Sequence, residues 1–333
     1  MPKDILYSTR DLTVEYTTRA GSVKAVDDVS LDIRRGEILG LVGESGCGKS
    51  TLGKALMRLH TGPAKITQGE LWFDGRDIMK LSLNEMPDIR GAEIGMVFQD
   101  PMTSLNPVQR ILEHLTETIQ THEPEVSEAA ARKRSEELIE RLGIRRERIT
   151  EYPHQMSGGM RQRIMISLAL SLRAKLVIAD EPTTSLDVIV EAKFLDLLKE
   201  LQKEFGLTIL LITHNIGVVA EISDRIAVMY AAKLVEVGDV KDVFAHPKHP
   251  YTQGLLRSVP NIKLDGAELY KMAGAPPDLS HPPAGCRFHT RCPFVMDICK
   301  VEEPPLVAIE EDQLAACWLY PSVMEKRQEK MHA

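Results

Sequence analysis

Residues 43–51 (GESGCGKST) constrain this chain more than any other stretch, because residues 43–50 fit the pattern G-x-x-x-x-G-K-[ST]. An apolar run, residues 37–42, precedes this segment, and a helix-forming run, residues 52–59, follows it. The pattern therefore predicts a strand, a glycine-rich loop and a helix, in that order. Such a loop directs backbone N–H groups and the positive end of a helix at one point, where they bind phosphate groups.

We call residues 43–51 the phosphate loop and expect a nucleoside triphosphate with Mg²⁺ as its ligand. The Lys49 ammonium is expected to reach the β- and γ-phosphates, and the Ser50 hydroxyl to bind Mg²⁺. The alternative is a chance glycine turn, which the predicted strand and helix on either side disfavour. The loop residues predicted to contact the nucleotide are Gly43, Ser45, Gly46, Cys47, Gly48, Lys49, Ser50 and Thr51.

The composition is that of an ordinary globular protein, with 333 residues of which 43% are hydrophobic and 27% charged. The longest apolar runs are shorter than the roughly 18 residues that a membrane-spanning helix needs. The N-terminus carries no secretory signal, so we expect a soluble protein of the cytosol. A net charge of −7 without a long basic run argues against nucleic acid as the main partner.

Hydrophobic patterning predicts an α/β protein. Residues 5–17 and 22–33 alternate between apolar and polar, which indicates antiparallel strands. Tyr16, near the end of the first of these, either stacks on the adenine of the nucleotide or simply packs. Ser127 and Gly143 are expected to begin and end a helix in an inserted helical region. Buried strands are predicted at three apolar runs, residues 94–98, 176–179 and 207–213.

Two carboxylates, Asp180 and Glu181, follow one of the predicted buried strands directly. Open α/β sheets bind their ligands at the carboxyl ends of the strands. We expect Asp180 to bind Mg²⁺ through water and Glu181 to polarise the attacking water. A solvated acidic turn is the alternative. His214 follows another strand to the same edge, although a single histidine there is more often an ordinary core residue.

Six motifs follow one another along the chain: the phosphate loop, Gln99, Ser157-Gly158-Gly159, Asp180-Glu181, residues 185–187 and His214. Their order resembles that of the ATPase subunits of ABC transporters, from residue 7 to about residue 238. A serine and two glycines directly before a helix make a second anion site. In isolation they are a common helix entry and weak evidence, but they are the signature of this family. The resemblance implies a mixed sheet core, an antiparallel β subdomain, a helical subdomain at about residues 100–170, and hydrolysis of ATP with Mg²⁺.

The resemblance also implies a role for each motif. Tyr16 would stack on adenine, and Gln99 would sense the γ-phosphate and help to bind Mg²⁺. Glu181 would be the catalytic base and His214 the switch on the γ-phosphate. Ser157, Gly158 and Gly159 would contact the ATP bound by a partner subunit. Asp187 would lie across the dimer interface.

Two departures from the family pattern leave this prediction unchanged. Methionines flank the signature where leucine and glutamine are common, and Asn215 follows the histidine where aspartate is common. Neither replaced side chain carries the phosphate contact. Several segments resemble the dipeptide and oligopeptide importer branch of the family, namely residues 98–107, 160–163, 249–252 and 285–289.

Residues 251–333, which we call the C-terminal extension, are rich in proline, and this argues against long helices after about residue 260. Four of the five cysteines lie here with the spacing C-x5-C-x6-C-x17-C, and four thiolates can hold a metal in a segment with little core. The residues themselves leave an iron–sulfur cluster, zinc and free thiols or a disulfide open. The resemblance to peptide importers implies a [4Fe–4S] cluster on Cys286, Cys292, Cys299 and Cys317.

The resemblance predicts a nucleotide-binding domain at residues 1–250, followed by the extension, on the cytoplasmic face of the inner membrane. The partners would be a second homologous ATPase subunit in a head-to-tail dimer, two membrane permease subunits and, indirectly, an extracytoplasmic peptide-binding protein. The rival is an ABC ATPase that acts on nucleic acid. Only about 110 residues separate the phosphate loop from the signature, too few for the coiled-coil insertion of that class.

Overall fold

The computed structural model describes residues 4–19, 21–59, 62–100, 104–184, 186–258 and 272–332. Within these residues the chain forms two compact units. The unit that we call the phosphate-loop unit comprises Met1–Ile33, Leu39–Met79 and Thr213–Ala333. The other, which we call the carboxylate unit, comprises Arg34–Ile38 and Lys80–Ile212.

The phosphate-loop unit contains an antiparallel sheet. Its strands are β1 (Ile5–Thr18), β2 (Gly21–Arg34), β4 (Ala64–Phe73) and β5 (Arg76–Asp77), in the order β2-β1-β4-β5. Tyr7 pairs with Phe73 and Val14 with Ile66, and the register shifts between Arg10 and Val14. The antiparallel strands predicted from the alternating segments are confirmed.

Further strands of the same unit carry the phosphate loop. They are β3 (Ile38–Val42), β9 (Arg225–Tyr230), β10 (Lys233–Asp239), β11 (Val307–Glu310) and β12 (Gln313–Ala315), in the order β11-β12-β10-β9-β3. Strand β3 is parallel to β9 and wholly buried, as expected for an apolar run covered on both faces. Strand β12 pairs with β10, so the C-terminal extension adds strands beside those that carry the loop.

The helices of this unit are α1 (Lys49–Leu56), α6 (Ile216–Ile222), α7 (Val240–Ala245), α8 (Pro250–Arg257), α9 (Asp297–Val301) and α10 (Pro321–His332). Helix α1 begins at Lys49, directly after the glycines of the phosphate loop. The expectation that the proline-rich extension lacks long helices is wrong for α10, which has 12 residues. Its sequence is free of proline after the first position, where proline fits a helix because that N–H has no intrahelical partner.

The carboxylate unit contains parallel strands and most of the inserted helical region. The strands are β6 (Ile94–Val97), β7 (Leu176–Asp180) and β8 (Thr208–Thr213), with β7 between the other two. Their residues are buried, so the strands predicted from the apolar runs are confirmed. The helices are α2 (Ile111–His122), α3 (Glu128–Arg141), α4 (Gly158–Leu170) and α5 (Val188–Phe205).

The helix signals read from the sequence match α3. The Ser127 side chain accepts a hydrogen bond from the Ala130 N–H at 3.3 Å, and Gly143 follows the helix with a positive φ of 72°. Among the helices that the structure describes, none is long and apolar enough to cross a membrane. Short 3₁₀ helices lie at Ile78–Lys80, Met86–Asp88, Arg146–Thr150 and Pro153–Gln155.

Candidate functional site

The phosphate loop is packed so closely that two of its glycines admit no side chain. Gly48 has a φ of +108°, and a Cβ there would lie 1.9 Å from the Ala25 carbonyl oxygen. A Cβ on Gly43 would lie 2.1 Å from the Met229 carbonyl oxygen. Ser45 and Gly46 lie exposed at the tip of the loop. The loop is therefore fixed against β2 and β9 and open at the side where a phosphate can approach.

Lys49 lies inside this loop. Its side chain is buried, and Nζ donates hydrogen bonds to the Gly43 carbonyl oxygen at 2.8 Å and the Glu44 carbonyl oxygen at 3.1 Å. The ammonium thus lies within the loop that is predicted to bind phosphate, as a phosphate-binding lysine requires. The neighbouring Cys47 is buried as well, and burial raises the pKa of its thiol. Its side chain therefore contributes packing and not a reactive thiolate.

Tyr16 lies next to the helix that follows the loop. Its hydroxyl is 3.2 Å from the Thr51 hydroxyl oxygen, and the side chain is half-buried. The structure thus brings Tyr16, Lys49, Ser50 and Thr51 together in one unit. The role of Tyr16 in stacking on adenine stays a prediction.

The carboxylate unit brings Gln99 to Glu181. Asp180 ends β7 and is buried, whereas Glu181 has a left-handed φ of 46° and donates its backbone N–H to the Ile212 carbonyl oxygen at 2.8 Å. The Glu181 carboxylate accepts hydrogen bonds from Gln99 Nε2 at 3.3 Å and from the Thr184 hydroxyl at 2.8 Å. A non-glycine residue held in this conformation is common where function requires one side-chain direction. Thr184 was not identified from the sequence as a site residue. The one sequence feature that could have indicated it is its position three residues after Glu181.

The signature residues and Asp187 line one cavity of about 390 Å³ in the carboxylate unit. Ser157 caps α4, accepting a hydrogen bond from the Met160 N–H at 3.4 Å. A Cβ on Gly159 would lie 2.6 Å from Val190 Cγ1, so α4 approaches α5 too closely for a larger residue. Asp187 caps α5 and accepts from the Val190 N–H at 3.0 Å. Ser185, the first residue of the predicted motif at residues 185–187, lies outside the described residues.

His214 follows β8 and is exposed. The next residue, Asn215, caps α6, and its Oδ1 accepts a hydrogen bond from the Gly217 N–H at 3.0 Å. Asparagine and aspartate are equivalent as helix N-caps. The departure from the expected aspartate at Asn215 therefore keeps a cap on the helix that follows His214.

The four cysteines of the extension are free thiols in the phosphate-loop unit. Burial raises the pKa of Cys286 to about 11 and that of Cys317 to about 12, and thiolate charge on the other three adds to the rise at Cys317. In the parts of the chain that the structure describes, no group of three or more histidine, cysteine or acidic side chains is arranged to hold a metal ion. The predicted [4Fe–4S] site and the zinc alternative thus gain no support from this arrangement.

Comparison with known proteins decides the family. Residues 26–184 match the ABC transporter family model, and residues 235–299 match that of the oligopeptide/dipeptide transporter C-terminal region. The sequence is 47% identical to the dipeptide transport ATP-binding protein DppD of Bacillus subtilis over 315 residues, which cover 94% of both chains. The chain belongs to the ABC transporter ATP-binding proteins. It is also 46% identical to the oligopeptide transport ATP-binding protein OppD of Salmonella typhimurium over 95% of this chain and 94% of that one.

Solved structures of this family share the fold. The dimeric structure of MJ0796, a bacterial ABC transporter cassette, matches with a TM-score of 0.64 and 30% identity over 71% of this chain and 99% of that chain. A second dimeric structure of MJ0796, a post-hydrolysis state bound to ADP and Pi, matches with the same score, identity and coverage. The predictions of an ABC-type ATPase and of its α/β fold are confirmed. The alternative of an ATPase acting on nucleic acid gains no support from these matches.

Proposed function

We propose that this ABC-type ATPase powers the import of dipeptides or oligopeptides through a membrane transporter. The observation that carries the proposal is the match of residues 235–299 to the C-terminal region of oligopeptide and dipeptide transporters. That region is separate from the ATPase motifs, so it distinguishes peptide transporters from ABC ATPases in general. The DppD and OppD relatives, whose names give dipeptide and oligopeptide transport, support the same branch.

In this proposal the phosphate loop binds the triphosphate of ATP, as its glycines and Lys49 are suited to do. Ser50 and Gln99 would hold Mg²⁺, with Asp180 bound to it through water, and the ion would neutralise charge on the phosphates. Tyr16 stacks on the adenine. These assignments rest on the loop geometry, on the contact of Tyr16 with Thr51, and on the position of Asp180 at the end of a buried strand.

Glu181 is the proposed base for the water that attacks the γ-phosphate. Gln99 and Thr184 bond to the same carboxylate oxygen and orient it. The water transfers a proton to the Glu181 carboxylate as its oxygen forms the bond to phosphorus and the bond to ADP breaks. His214 contacts the γ-phosphate, and its exposed position after β8 leaves its ring accessible to a nucleotide.

A second, homologous ATPase subunit completes each site in a head-to-tail dimer. The cavity lined by Ser157, Gly158, Gly159 and Asp187 supports this proposal, because it presents a helix N-terminus and backbone N–H groups to an anion from outside the chain. Two membrane permease subunits and, through them, an extracytoplasmic peptide-binding protein complete the transporter. The chain is then a peripheral protein of the cytoplasmic face, with its nucleotide-binding domain at residues 1–250 and its extension at residues 251–333.

We propose further that Cys286, Cys292, Cys299 and Cys317 hold a [4Fe–4S] cluster. All four are free thiols, and the Cys286 backbone N–H donates a hydrogen bond to the Cys299 carbonyl oxygen at 2.9 Å, which supports a shared neighbourhood for these two. In a four-iron cluster each thiolate binds a different iron, so the sulfurs need not converge on one ion. The raised pKa values of Cys286 and Cys317 mean that loading must displace protons, and affinity for the cluster should therefore rise with pH.

The Glu181→Gln variant tests the ATPase role and its coupling to import. We expect it to bind Mg-ATP but to hydrolyse it at least roughly a hundredfold more slowly, because only water activation needs the carboxylate. Uptake of labelled di- and oligopeptides by vesicles that contain the assembled transporter should fall with it. The matched control is Glu200→Gln, an exposed carboxylate on α5, which should hydrolyse and import normally. Normal peptide import by the Glu181→Gln variant would refute the proposal.

A further inference from the structure

The phosphate loop carries a negative charge of its own. Glu44 follows Gly43 in the loop, and its carbonyl oxygen accepts a hydrogen bond from Lys49 Nζ at 3.1 Å. A carboxylate next to an anion-binding loop repels the phosphates that the loop must bind. Unless another group compensates this charge, Glu44 weakens the site.

The compensating group comes from the C-terminal extension. Arg291 Nη1 and Nη2 donate hydrogen bonds to the two Glu44 carboxylate oxygens at 2.8 and 3.0 Å, which makes a bidentate ion pair. The Arg291 side chain is buried, with 4% of its surface exposed. A paired arginine fork has both charge and direction fixed. Arg291 lies 247 residues after Glu44 in the sequence, so this pair forms through the fold alone.

The guanidinium is held from several sides. Arg291 Nε donates to the Ala273 carbonyl oxygen at 2.9 Å and Nη1 also donates to the Tyr230 hydroxyl at 3.2 Å. The guanidinium carbon lies 5.7 Å from the centre of the Tyr230 ring and 5.9 Å from that of Phe288, within the range of cation–π attraction. These contacts fix the charge in place before any nucleotide arrives.

The backbone of Glu44 is fixed by a second contact. Its N–H donates to the hydroxyl of the buried Tyr251 in α8 at 2.9 Å. The Tyr251 ring packs on Tyr230 and Phe288, with centroids 4.5 and 5.5 Å apart. The start of the phosphate loop is therefore supported by one aromatic cluster, and two of its residues, Tyr251 and Phe288, belong to the extension.

We propose that Arg291 is a positioning residue of the ATP site, which raises the affinity of the phosphate loop for ATP by neutralising Glu44 and fixing the direction of its side chain. The inference rests on the proposed binding of ATP at residues 43–51. It gives the extension of this ATPase an indirect part in nucleotide binding, through Glu44. The region that marks the peptide-transporter branch is thus built into the nucleotide site.

The test is equilibrium binding of a fluorescent, non-hydrolysable ATP analogue with Mg²⁺ to the full chain. Arg291→Ala should bind about tenfold more weakly than wild type, a change of about 1.4 kcal/mol, because the Glu44 charge is no longer compensated. The double variant Glu44→Gln/Arg291→Ala should return to within about twofold of wild type, since it carries neither charge. A purely structural role for Arg291 predicts no such rescue.

Arg287→Ala is the matched control. Arg287 lies in the same segment and pairs with Asp27 of β2 at 2.6 Å, not with a residue of the phosphate loop. The Arg287→Ala variant should bind the analogue with an affinity within about twofold of that of wild type. Wild-type affinity in Arg291→Ala, absence of rescue in the double variant, or equal weakening in Arg287→Ala would each overturn the inference.

Glu44→Gln alone keeps the inference testable if Arg291→Ala does not fold. Removal of the carboxylate leaves the positive guanidinium in place, so this variant should bind the analogue at least as tightly as wild type. Weaker binding by Glu44→Gln would overturn the inference. Failure of the wild-type chain to bind the analogue would instead refute the ATP site itself, so the two proposals fail differently.

Discussion

His249 should make the stability of the phosphate-loop unit depend on pH. Its side chain is 1% exposed, and its Nδ1 accepts a hydrogen bond from the Tyr251 N–H at 3.1 Å. Its ring packs against Phe288, with centroids 5.7 Å apart. Burial in these surroundings lowers the pKa of His249 from 6.5 to about 3. The folded protein thus keeps a neutral ring at pH values where the unfolded chain binds a proton.

The sign and size of the effect follow from this difference in pKa. The contribution of His249 to stability is complete above the unfolded pKa and is lost as the pH falls, by about 1.4 kcal/mol per pH unit between about pH 6.5 and about pH 3. A change from about pH 7.5 to about pH 5 therefore lowers the free energy of unfolding by about 2 kcal/mol. Glu236, whose carboxylate accepts a hydrogen bond from the backbone N–H of His249 at 2.8 Å, acts in the opposite direction because burial raises the pKa of Glu236.

A comparison of wild type with His249→Asn isolates the histidine. Asparagine retains a side-chain hydrogen-bond acceptor at the start of α8 but does not titrate in this pH range. The packing that the substitution removes lowers stability by the same amount at every pH. The difference in pH dependence between wild type and variant therefore reports on His249 alone. Urea unfolding of the full chain can be followed by the fluorescence of Trp72 and Trp318, both in this unit. We expect the excess stability of wild type over the variant to fall by about 2 kcal/mol between about pH 7.5 and about pH 5. Parallel profiles would refute the reasoning.

Two further predictions concern the loop and the extension. Gly48→Ala should abolish tight ATP binding and lower the free energy of unfolding, by about 1–2 kcal/mol from the left-handed backbone alone. ATP-binding and urea-unfolding assays measure these two effects. A variant that binds ATP normally would contradict the close approach of Gly48 to Ala25. Protein purified without oxygen should contain about four iron and about four acid-labile sulfide per chain. Cys292→Ser should lose them and Cys47→Ser should not, whereas zinc in place of iron would refute the cluster.

The local chemistry of the chain was readable from its sequence. The phosphate loop, the capping of α3 by Ser127 and the buried strands β7 and β8 depend on residues close together in the chain. Their signals are the fixed spacing of glycines, a serine before a helical pattern, and short apolar runs. Local patterns of this kind survive folding because neighbouring residues supply most of the interactions that produce them.

The surroundings of the site were decided by the tertiary structure. Thr184 and Gln99 meet at the Glu181 carboxylate because β6 and β7 are adjacent parallel strands, which no single stretch of sequence specifies. Arg291 and Glu44 have no pattern in common, and they pair because the extension folds back against the loop. Motifs therefore identified the reacting groups, whereas the neighbours that set their charge and direction depend on contacts between distant residues.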